Sequence, residues 1–337
     1  MGAVRAVVFR VGVVAALVGA LALAAVTPAQ AAAVGGIATP AGTAVSSTSS
    51  RVVVSWDGTT ETIDLSLGLS ASAGTLGLVL PTPAKAAVGA GDASLFDIAE
   101  RAIAPVQHRE DDWWGRTSGA VAPAASIEQS PLGAVEPTSI KATNRSALSK
   151  WLKKNGLQLT AADRAQVADY ASRGWSLSLL AVTSPDAVQG ALAPVRVRFA
   201  TKQPILPMRL AASGKKPMSL RVYSLADHRT ALRVAGSTRN LNAAQSVVWA
   251  GAVTAPELRS RGAYLTVTDV RFDSPEAQVT GDIGIVDAQA DDTLIPSVVV
   301  YSPITLLGLP LGWLLVVWGG IGAVLAIAYL INRFRSQ

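Results

Sequence analysis

The sequence predicts an α+β protein: an ectodomain of mostly antiparallel β-sheet with a few short helices, followed by one C-terminal transmembrane helix. Three observations predict this class. Alternating apolar and polar residues, typical of strands, occur early and late in the chain, helical periodicity is confined to short segments between them, and a long uncharged apolar run comes near the end. The composition agrees, because 50% of the 337 residues are hydrophobic and only 15% are charged, where about 25% is usual.

The N-terminus has the pattern of a signal peptide over residues 1–31. Two arginines precede an apolar run over residues 11–26, and the small residues Ala29 and Ala31 stand where signal peptidase reads the chain. We expect cleavage after Ala31; cleavage after Ala33, or retention of the segment as a membrane anchor, are the alternatives. The remainder of the chain is therefore predicted to be exported.

The C-terminus has the pattern of a membrane anchor. Residues 306–331 carry no charge, and about 20 apolar residues in a helix cross the hydrocarbon core of a bilayer. Arg333 and Arg335 follow directly, and positively charged flanks stay on the cytoplasmic side. We therefore expect a single-pass protein of the cell membrane, with the bulk of the chain outside and residues 332–337 as a short cytoplasmic tail.

Charge and cysteine content exclude several classes of function. The net charge is +6, but it falls to +2 without the four arginines that flank the two apolar ends, so nucleic acid is not an expected partner. The chain has no cysteine, which excludes disulfide scaffolds, cysteine-ligated zinc and iron–sulfur clusters. We expect no cofactor and no bound metal.

Between the two ends, we expect a flexible leader over residues 32–50 and an extracytoplasmic α+β domain over residues 51–303. The pair Asp57-Gly58 predicts a tight hairpin turn between two strands. Strands are predicted at 51–56, 60–69, 76–80, 175–182, 195–200, 205–211, 218–225 and 263–268, and helices between Asp92 and Pro105, at 144–155 and from Thr160 to before Gly174.

The order of the hairpin and of five further phrases resembles a known family. The phrases are "GLVLPTPA" (Gly77–Ala84), "LFDIAERAIAP" (Leu95–Pro105), "YASRGWSLSLLAV" (Tyr170–Val182), "PVRVRFATKQPILPMRL" (Pro194–Leu210) and "LRVYSLADHRT" (Leu220–Thr230). They are similar to those of bacterial secreted proteins grouped as domain of unknown function family 2330. The resemblance implies an exported, often membrane-tethered protein and brings no activity. Members often carry cysteines after the signal peptide, and this chain departs from that pattern.

Trp113 and Trp114 form the first candidate binding surface. They lie beside two aspartates and Gly115 in a stretch broken by Pro and Gly, where an exposed aromatic pair can stack on sugars or anchor a partner. The alternative is that the two rings pack the loop onto the domain.

Four arginines form the second candidate surface. Arg196 and Arg198 alternate with apolar residues on one predicted strand, and Arg209 and Arg221 have the same outward position on neighbouring ones. If these strands pair, four guanidinium groups meet on one face, which suits carboxylate or phosphate recognition. The alternative is a solvated face on which nearby acids balance the arginines.

No enzyme motif is present. The Gly-x-Ser-x-Gly elbow and the phosphate-binding Gly-x4-Gly-Lys pattern are both absent. The leading hypothesis is a non-enzymatic envelope module that binds or organises an anionic cell-wall polymer or another envelope protein. One alternative is an extracytoplasmic hydrolase with a carboxylate site or a Ser/His site built on His108 or His228. The other is an accessory subunit of a membrane complex that docks through Gly308 and Gly312, a spacing that allows close helix approach.

Overall fold

The computed structural model describes residues 34–43, 45–117, 129–130, 137–183 and 189–336. The predicted signal peptide, with Ala29 and Ala31, lies outside these residues. Within them the architecture is a set of mostly antiparallel sheets with short helices and one long C-terminal helix, as the sequence predicts.

The described residues contain twenty strands. In chain order they are β1 (Gly36–Ala38), β2 (Val45–Trp56), β3 (Thr60–Ala71), β4 (Thr75–Thr82), β5 (Ala87–Ala90), β6 (Val106–Asp112), β7 (Gln129–Ser130), β8 (Thr138–Lys141), β9 (Ser176–Thr183), β10 (Gln189–Leu192), β11 (Val195–Ala200), β12 (Ile205–Leu206), β13 (Met218–Ala226), β14 (Thr230–Val234), β15 (Ala244–Ala252), β16 (Tyr264–Phe272), β17 (Ile283–Asp287), β18 (Ser297–Pro303), β19 (Thr305–Leu306) and β20 (Leu309–Pro310).

Six α-helices and one 3-10 helix lie in the same part of the chain. They are α1 (Ala93–Ala102), α2 (Arg145–Lys154), α3 (Ala161–Ser172), the 3-10 helix (Arg209–Ser213), α4 (Pro256–Arg259), α5 (Pro275–Gln278) and α6 (Leu311–Arg335). α6 is long and apolar enough to cross a membrane, and its most apolar stretch is not buried against the rest of the protein.

The strands form one large sheet and several small ones. The large sheet has the order β15-β16-β13-β2-β3-β10-β7, and β11 pairs with both β3 and β5. A four-stranded sheet has the order β1-β4-β9-β8 and a three-stranded sheet the order β12-β17-β14, while β18 pairs with β6 and β19 with β20. Because β2 and β3 pair with β13 and β11, strands from the early and the late part of the chain share one sheet.

Turn and cap residues explain where the first elements begin. In the hairpin between β2 and β3, the Asp57 carboxylate accepts the backbone N–H of Thr60 at 2.8 Å, and Gly58 has the positive φ of +94° that this tight turn requires. α1 begins after Asp92, whose carboxylate accepts the backbone N–H of Ser94 at 2.9 Å. Both the Asp57-Gly58 turn and the Asp92 helix cap can be recognised in the sequence.

The large sheet is buried on both faces over much of its area. One face, with Val52 and Leu65, belongs to the main hydrophobic core, which also contains the four-stranded sheet and α2 and α3. The other face, with Val53 and Tyr223, packs against Phe96 of α1 and its neighbours in a second, smaller core. The alternation in β3 predicts a half-buried strand; this is wrong, because Arg196 and Arg261 contact Asp64 on its polar face and most of that face is buried as well.

Three predicted boundaries are corrected by the structure. The flexible leader over residues 32–50 is wrong for most of its length, since β1 pairs with β4, β2 begins at Val45, and Ile37 is fully buried. The strand predicted over 205–211 ends at Leu206, because a proline follows it and a 3-10 helix then begins. The apolar run from residue 306 is not helical until residue 311, since its first residues form the β19–β20 hairpin.

Candidate functional site

A groove of about 980 Å³ opens where α1 ends over the large sheet. Its floor is made by β2, β13, β16 and β15. Its wall is made by Asp97, Glu100 and Arg101 of α1 and by Ala104 just after the helix. A groove of this size holds a small molecule or a few units of a polymer. It is therefore the leading candidate site in the described part of the chain.

A charged network crosses the floor of the groove. Arg221 of β13 donates from Nε and an Nη atom to the two carboxylate oxygens of Asp269 on β16, at 2.7 and 2.8 Å, because the register of these strands places the two residues side by side. Arg221 also approaches Glu100 of α1 at 3.5 Å, and the hydroxyl of Tyr223 donates to the same carboxylate oxygen. Glu100 therefore links α1 to the large sheet through these two contacts.

Burial and these partners shift two pKa values. Burial, followed by the neighbouring Glu100 carboxylate, raises the pKa of Tyr223, so its hydroxyl remains protonated and continues to donate. The hydrogen bond to Asp269 raises the pKa of Arg221, which is charged at any physiological pH. Both residues therefore serve to hold the network in place.

Arg51 of β2 is the least satisfied cation of the groove. Its side chain is only 14% exposed, its ion-pair distance to Glu100 is 4.0 Å, and its guanidinium lies over the Phe96 ring at 5.1 Å from the centroid. Among the described residues it makes no side-chain hydrogen bond, although a guanidinium carries five N–H donors. A mostly buried guanidinium with free N–H donors is suited to bind an anionic oxygen of a ligand.

The four predicted arginines do not form one patch, which corrects the second candidate surface. Arg196 and Arg198 lie on the same face of the large sheet as Arg221, but three strands away, where they line a separate pocket of about 280 Å³. Arg196 donates from Nε to the fully buried Asp64 at 2.8 Å. The balanced face, with acids beside the arginines, is the better description here.

Arg209 is a structural residue of another region. It stands at the start of the 3-10 helix, and its Nε donates to the buried Asp282 at 3.2 Å, while a second nitrogen approaches Asp169 at 3.4 Å. The strand predicted to place Arg209 beside the other arginines ends three residues earlier. Its partners therefore belong to the packing of α3 against the 3-10 helix.

Trp113 and Trp114 are exposed, at the end of β6 and next to the start of α6. The Trp114 ring meets the ring of Trp313 edge to face, with centroids 5.8 Å apart. The backbone N–H of Gly312 donates to the carbonyl of Trp113 at 2.7 Å, and a Cβ at Gly312 would lie 2.9 Å from the Trp114 ring. Neither proposed alternative fits fully, because the Trp114 ring packs on the C-terminal helix while both rings stay about half exposed.

This contact also corrects the helix-docking hypothesis. Gly308 lies in the turn of the β19–β20 hairpin, with φ +76°, and therefore precedes the helix. Gly312 is covered by the segment that carries Trp113 and Trp114, which we call the tryptophan loop. The pair does not present a common helix face to a partner.

The two histidines lie apart. His108 is exposed on β6, while His228 donates from Nδ1 to the Asp291 carboxylate at 2.7 Å in an exposed turn. Neither lines the groove or the pocket of Arg196. Among the described residues, no group of three or more His, Asp or Glu is placed to hold a metal ion.

Sequence reasoning found one member of the groove network, Arg221, and missed Arg51, Glu100 and Asp269. The signal for Glu100 was its place one helical turn after the buried Phe96, which puts both residues on the side of α1 that faces the sheet. The signal for Arg51 was its place two residues before Val53 on a predicted strand, which puts both on the α1 side. Which strands pair, and hence which charges meet, is a tertiary property.

Fold and groove together define a mixed β-sheet domain with a ligand-sized groove and an apolar C-terminal helix able to cross a membrane. The chain belongs to domain of unknown function family 2330, described as an uncharacterized protein conserved in bacteria, whose model matches residues 28–286. The resemblance found in the sequence is thereby confirmed.

Comparison with other proteins adds little beyond the family. No curated protein matches the chain significantly. The crystal structure of baculovirus P35 is similar over 72% of this chain and 98% of its own, with 8% identity and a TM-score of 0.38. A likeness this weak carries no conclusion about function.

Proposed function

We propose that the protein is a single-pass component of the bacterial cell surface that binds an anionic envelope polymer in the α1 groove and catalyses no reaction. The N-terminal pattern supports export, and α6 with Arg333 and Arg335 in its last turn supports an anchor whose C-terminus is cytoplasmic. The folded domain then faces the cell wall. Exposed, separated histidines give no support to a hydrolase.

One observation carries the binding proposal: the Arg51 guanidinium lines the groove, is mostly buried, and keeps free donors. A phosphate or carboxylate of the polymer supplies the missing acceptors. Arg101, exposed on the wall of the same groove, adds a second positive charge at its edge. Ser246, an exposed serine of the floor, provides a neutral hydrogen-bonding group for the polymer backbone.

The test is a binding titration of the detergent-solubilised full chain with purified anionic wall polymer. Charge-assisted hydrogen bonds contribute about 1.5–3 kcal/mol each, so Arg51→Ala should raise Kd by roughly 10- to 100-fold. Arg198→Ala is the matched control, because it removes the same charge from the same face of the sheet but outside the groove. It should change Kd by no more than about twofold.

Two outcomes would contradict the proposal. Equal weakening by both substitutions would mean that net charge, and not the groove, attracts the polymer. Absence of binding to the polymer, with the protein folded by circular dichroism, would remove this class of ligand. Arg51→Lys separates charge from geometry, since a lysine keeps the charge and loses the planar fork of donors.

A further inference from the structure

A cluster of exposed apolar side chains surrounds the point where α6 leaves the folded domain. We call it the collar; its members are Trp113, Trp114, Leu306, Leu307, Leu309 and Trp313, each roughly half exposed or more. Leu307 is 92% exposed. Such a concentration of large apolar groups at one place on a protein surface indicates an interaction.

Backbone hydrogen bonds hold the collar as one rigid unit. Ile304 donates to the carbonyl of Asp112 at 2.9 Å, and Leu311 donates to the carbonyl of Ile304 at 2.9 Å. Asp112, almost fully buried, accepts the backbone N–H groups of Trp114 and Arg116 at 2.9 and 2.7 Å. The tryptophan loop, the β19–β20 hairpin and the first turn of α6 therefore move together.

The hairpin turn places a leucine where folding alone does not favour one. Leu307 and Gly308 are its two central residues, and their φ angles are +55° and +76°. Such turns usually carry Asn-Gly or Gly-Gly, because a positive φ costs an L-residue with a Cβ about 1 kcal/mol or more. At 92% exposed, Leu307 gains almost no packing against the described residues in return. An outlier of this kind is evidence for a role outside the folded domain.

Aromatic and cationic groups complete the surface. Tryptophan rings favour the interface between lipid headgroups and acyl chains. Arg116 pairs with Asp112 at 2.8 Å, stacks on the Tyr301 ring at 4.4 Å from its centroid, and keeps most of its side chain exposed. The collar is continuous with α6, which defines the level of the bilayer surface.

From these observations we propose that the collar inserts into the headgroup layer of the membrane around the N-terminal end of α6 and fixes the orientation of the folded domain above the bilayer. The proposal rests on the membrane anchor of the proposed function. Its partner is the lipid surface itself: Leu307 reaches the upper acyl chains, the tryptophans lie at the headgroup level, and Arg116 meets phosphates.

The cysteine-free chain allows a direct test in phospholipid vesicles. A fluorophore sensitive to polarity is attached to the single cysteine of Leu307→Cys or of Val106→Cys. Val106 is 46% exposed, as Trp113 is, but lies at the far end of β6, about 20 Å from the collar at ~3.3 Å per residue. The label at 307 should be quenched several-fold more by spin-labelled lipid than the label at 106.

The outcomes distinguish failure of the collar proposal from failure of the membrane-anchor proposal. Vesicle flotation first shows whether the full chain inserts; a chain that does not float refutes the anchor and the collar together. A chain that floats, with equal quenching by spin-labelled lipid at both positions, refutes the collar alone.

A second measurement guards against disturbance by the label. Brominated lipid should quench less of the total tryptophan emission in the variant with both Trp113→Phe and Trp114→Phe than in wild type. Trp249→Phe, a buried ring in the second core, should leave the quenched share of the remaining emission no smaller. A double variant with undiminished quenching contradicts the collar.

Discussion

The buried carboxylate of Asp282 should be a main determinant of stability in the main core. Its side chain is 1% exposed, and it accepts hydrogen bonds from the Tyr170 hydroxyl at 2.5 Å and from the backbone N–H of Met208 at 2.9 Å. Arg209 and Arg173 reach its other oxygen at 3.2 and 3.3 Å. One aspartate thus joins α3 to the 3-10 helix.

Two substitutions test this junction. Tyr170→Phe removes one hydroxyl that donates to a charged acceptor, which should lower the free energy of unfolding by about 1.5–3 kcal/mol. Asp282→Asn replaces an acceptor by an NH₂ group among donors and leaves both arginines without an acid there. Because Arg173 and Arg209 are 33% and 25% exposed, water screens part of that loss, and we expect about 2–4 kcal/mol.

Urea unfolding of the solubilised full chain, followed by tryptophan emission, measures both effects. Trp175 is a local reporter, since its ring lies 4.8 Å from that of Tyr170. The control is Tyr329→Phe, which removes a hydroxyl from the exposed surface of α6 and should change nothing. A loss below about 0.5 kcal/mol for Tyr170→Phe would refute the reasoning, because that is the range of ordinary surface substitutions.

Three further predictions concern other regions. Burial raises the pKa of Glu61 well above 4.5, so the folded state keeps a proton that the unfolded chain releases; stability should fall as pH rises above 4.5, and in urea titrations Glu61→Gln should show a smaller fall. The hydrogen bond to Asp291 raises the pKa of His228 above 6.5, so its contribution to stability is present below pH 6.5 and lost as pH rises through the folded pKa; Asp291→Asn should lower that pKa in an NMR titration. Gly77→Ala should destabilise by about 1–3 kcal/mol in thermal unfolding, because the new Cβ would lie within 3 Å of two apolar side chains, whereas Gly89→Ala, with open space around it, should not.

These predictions fail in identifiable ways. A pH dependence unchanged by Glu61→Gln would mean that Glu61 is ionised in the folded state. A His228 pKa that stays the same in Asp291→Asn would mean that the pair does not form in solution. Equal effects of the two alanine substitutions would contradict the close packing at Gly77.

Local signals in the sequence were sufficient for eight of the strands, for the first three α-helices and for the C-terminal helix. The cap at Asp92 and the capping box of Thr160 with Asp163 mark the starts of α1 and α3, and strand β11 has the predicted bounds. Such features depend on residues a few positions apart, so they can be recognised from the sequence without knowledge of the fold. The mixed sheet class follows from the same patterns.

The candidate site could not be predicted from local sequence signals. Arg221 and Arg198 look equivalent in the sequence, and only the pairing of β13 with β16 and of β11 with β3 gives them different partners. Arg209 was misplaced because a proline ended its strand and a 3-10 helix turned it toward Asp282. The pairing of strands that are distant in the sequence decides which charged side chains meet, and local periodicity does not predict that pairing.

The most direct test of the account is the side of the membrane on which the groove lies. In intact cells, single-cysteine variants Ser246→Cys, in the groove, and Ser336→Cys, after α6, are exposed to a maleimide that does not cross membranes. The account predicts that Ser246→Cys is labelled at once and Ser336→Cys only after the membrane is permeabilised. Labelling of Ser336→Cys in intact cells, with Ser246→Cys protected until permeabilisation, would contradict it.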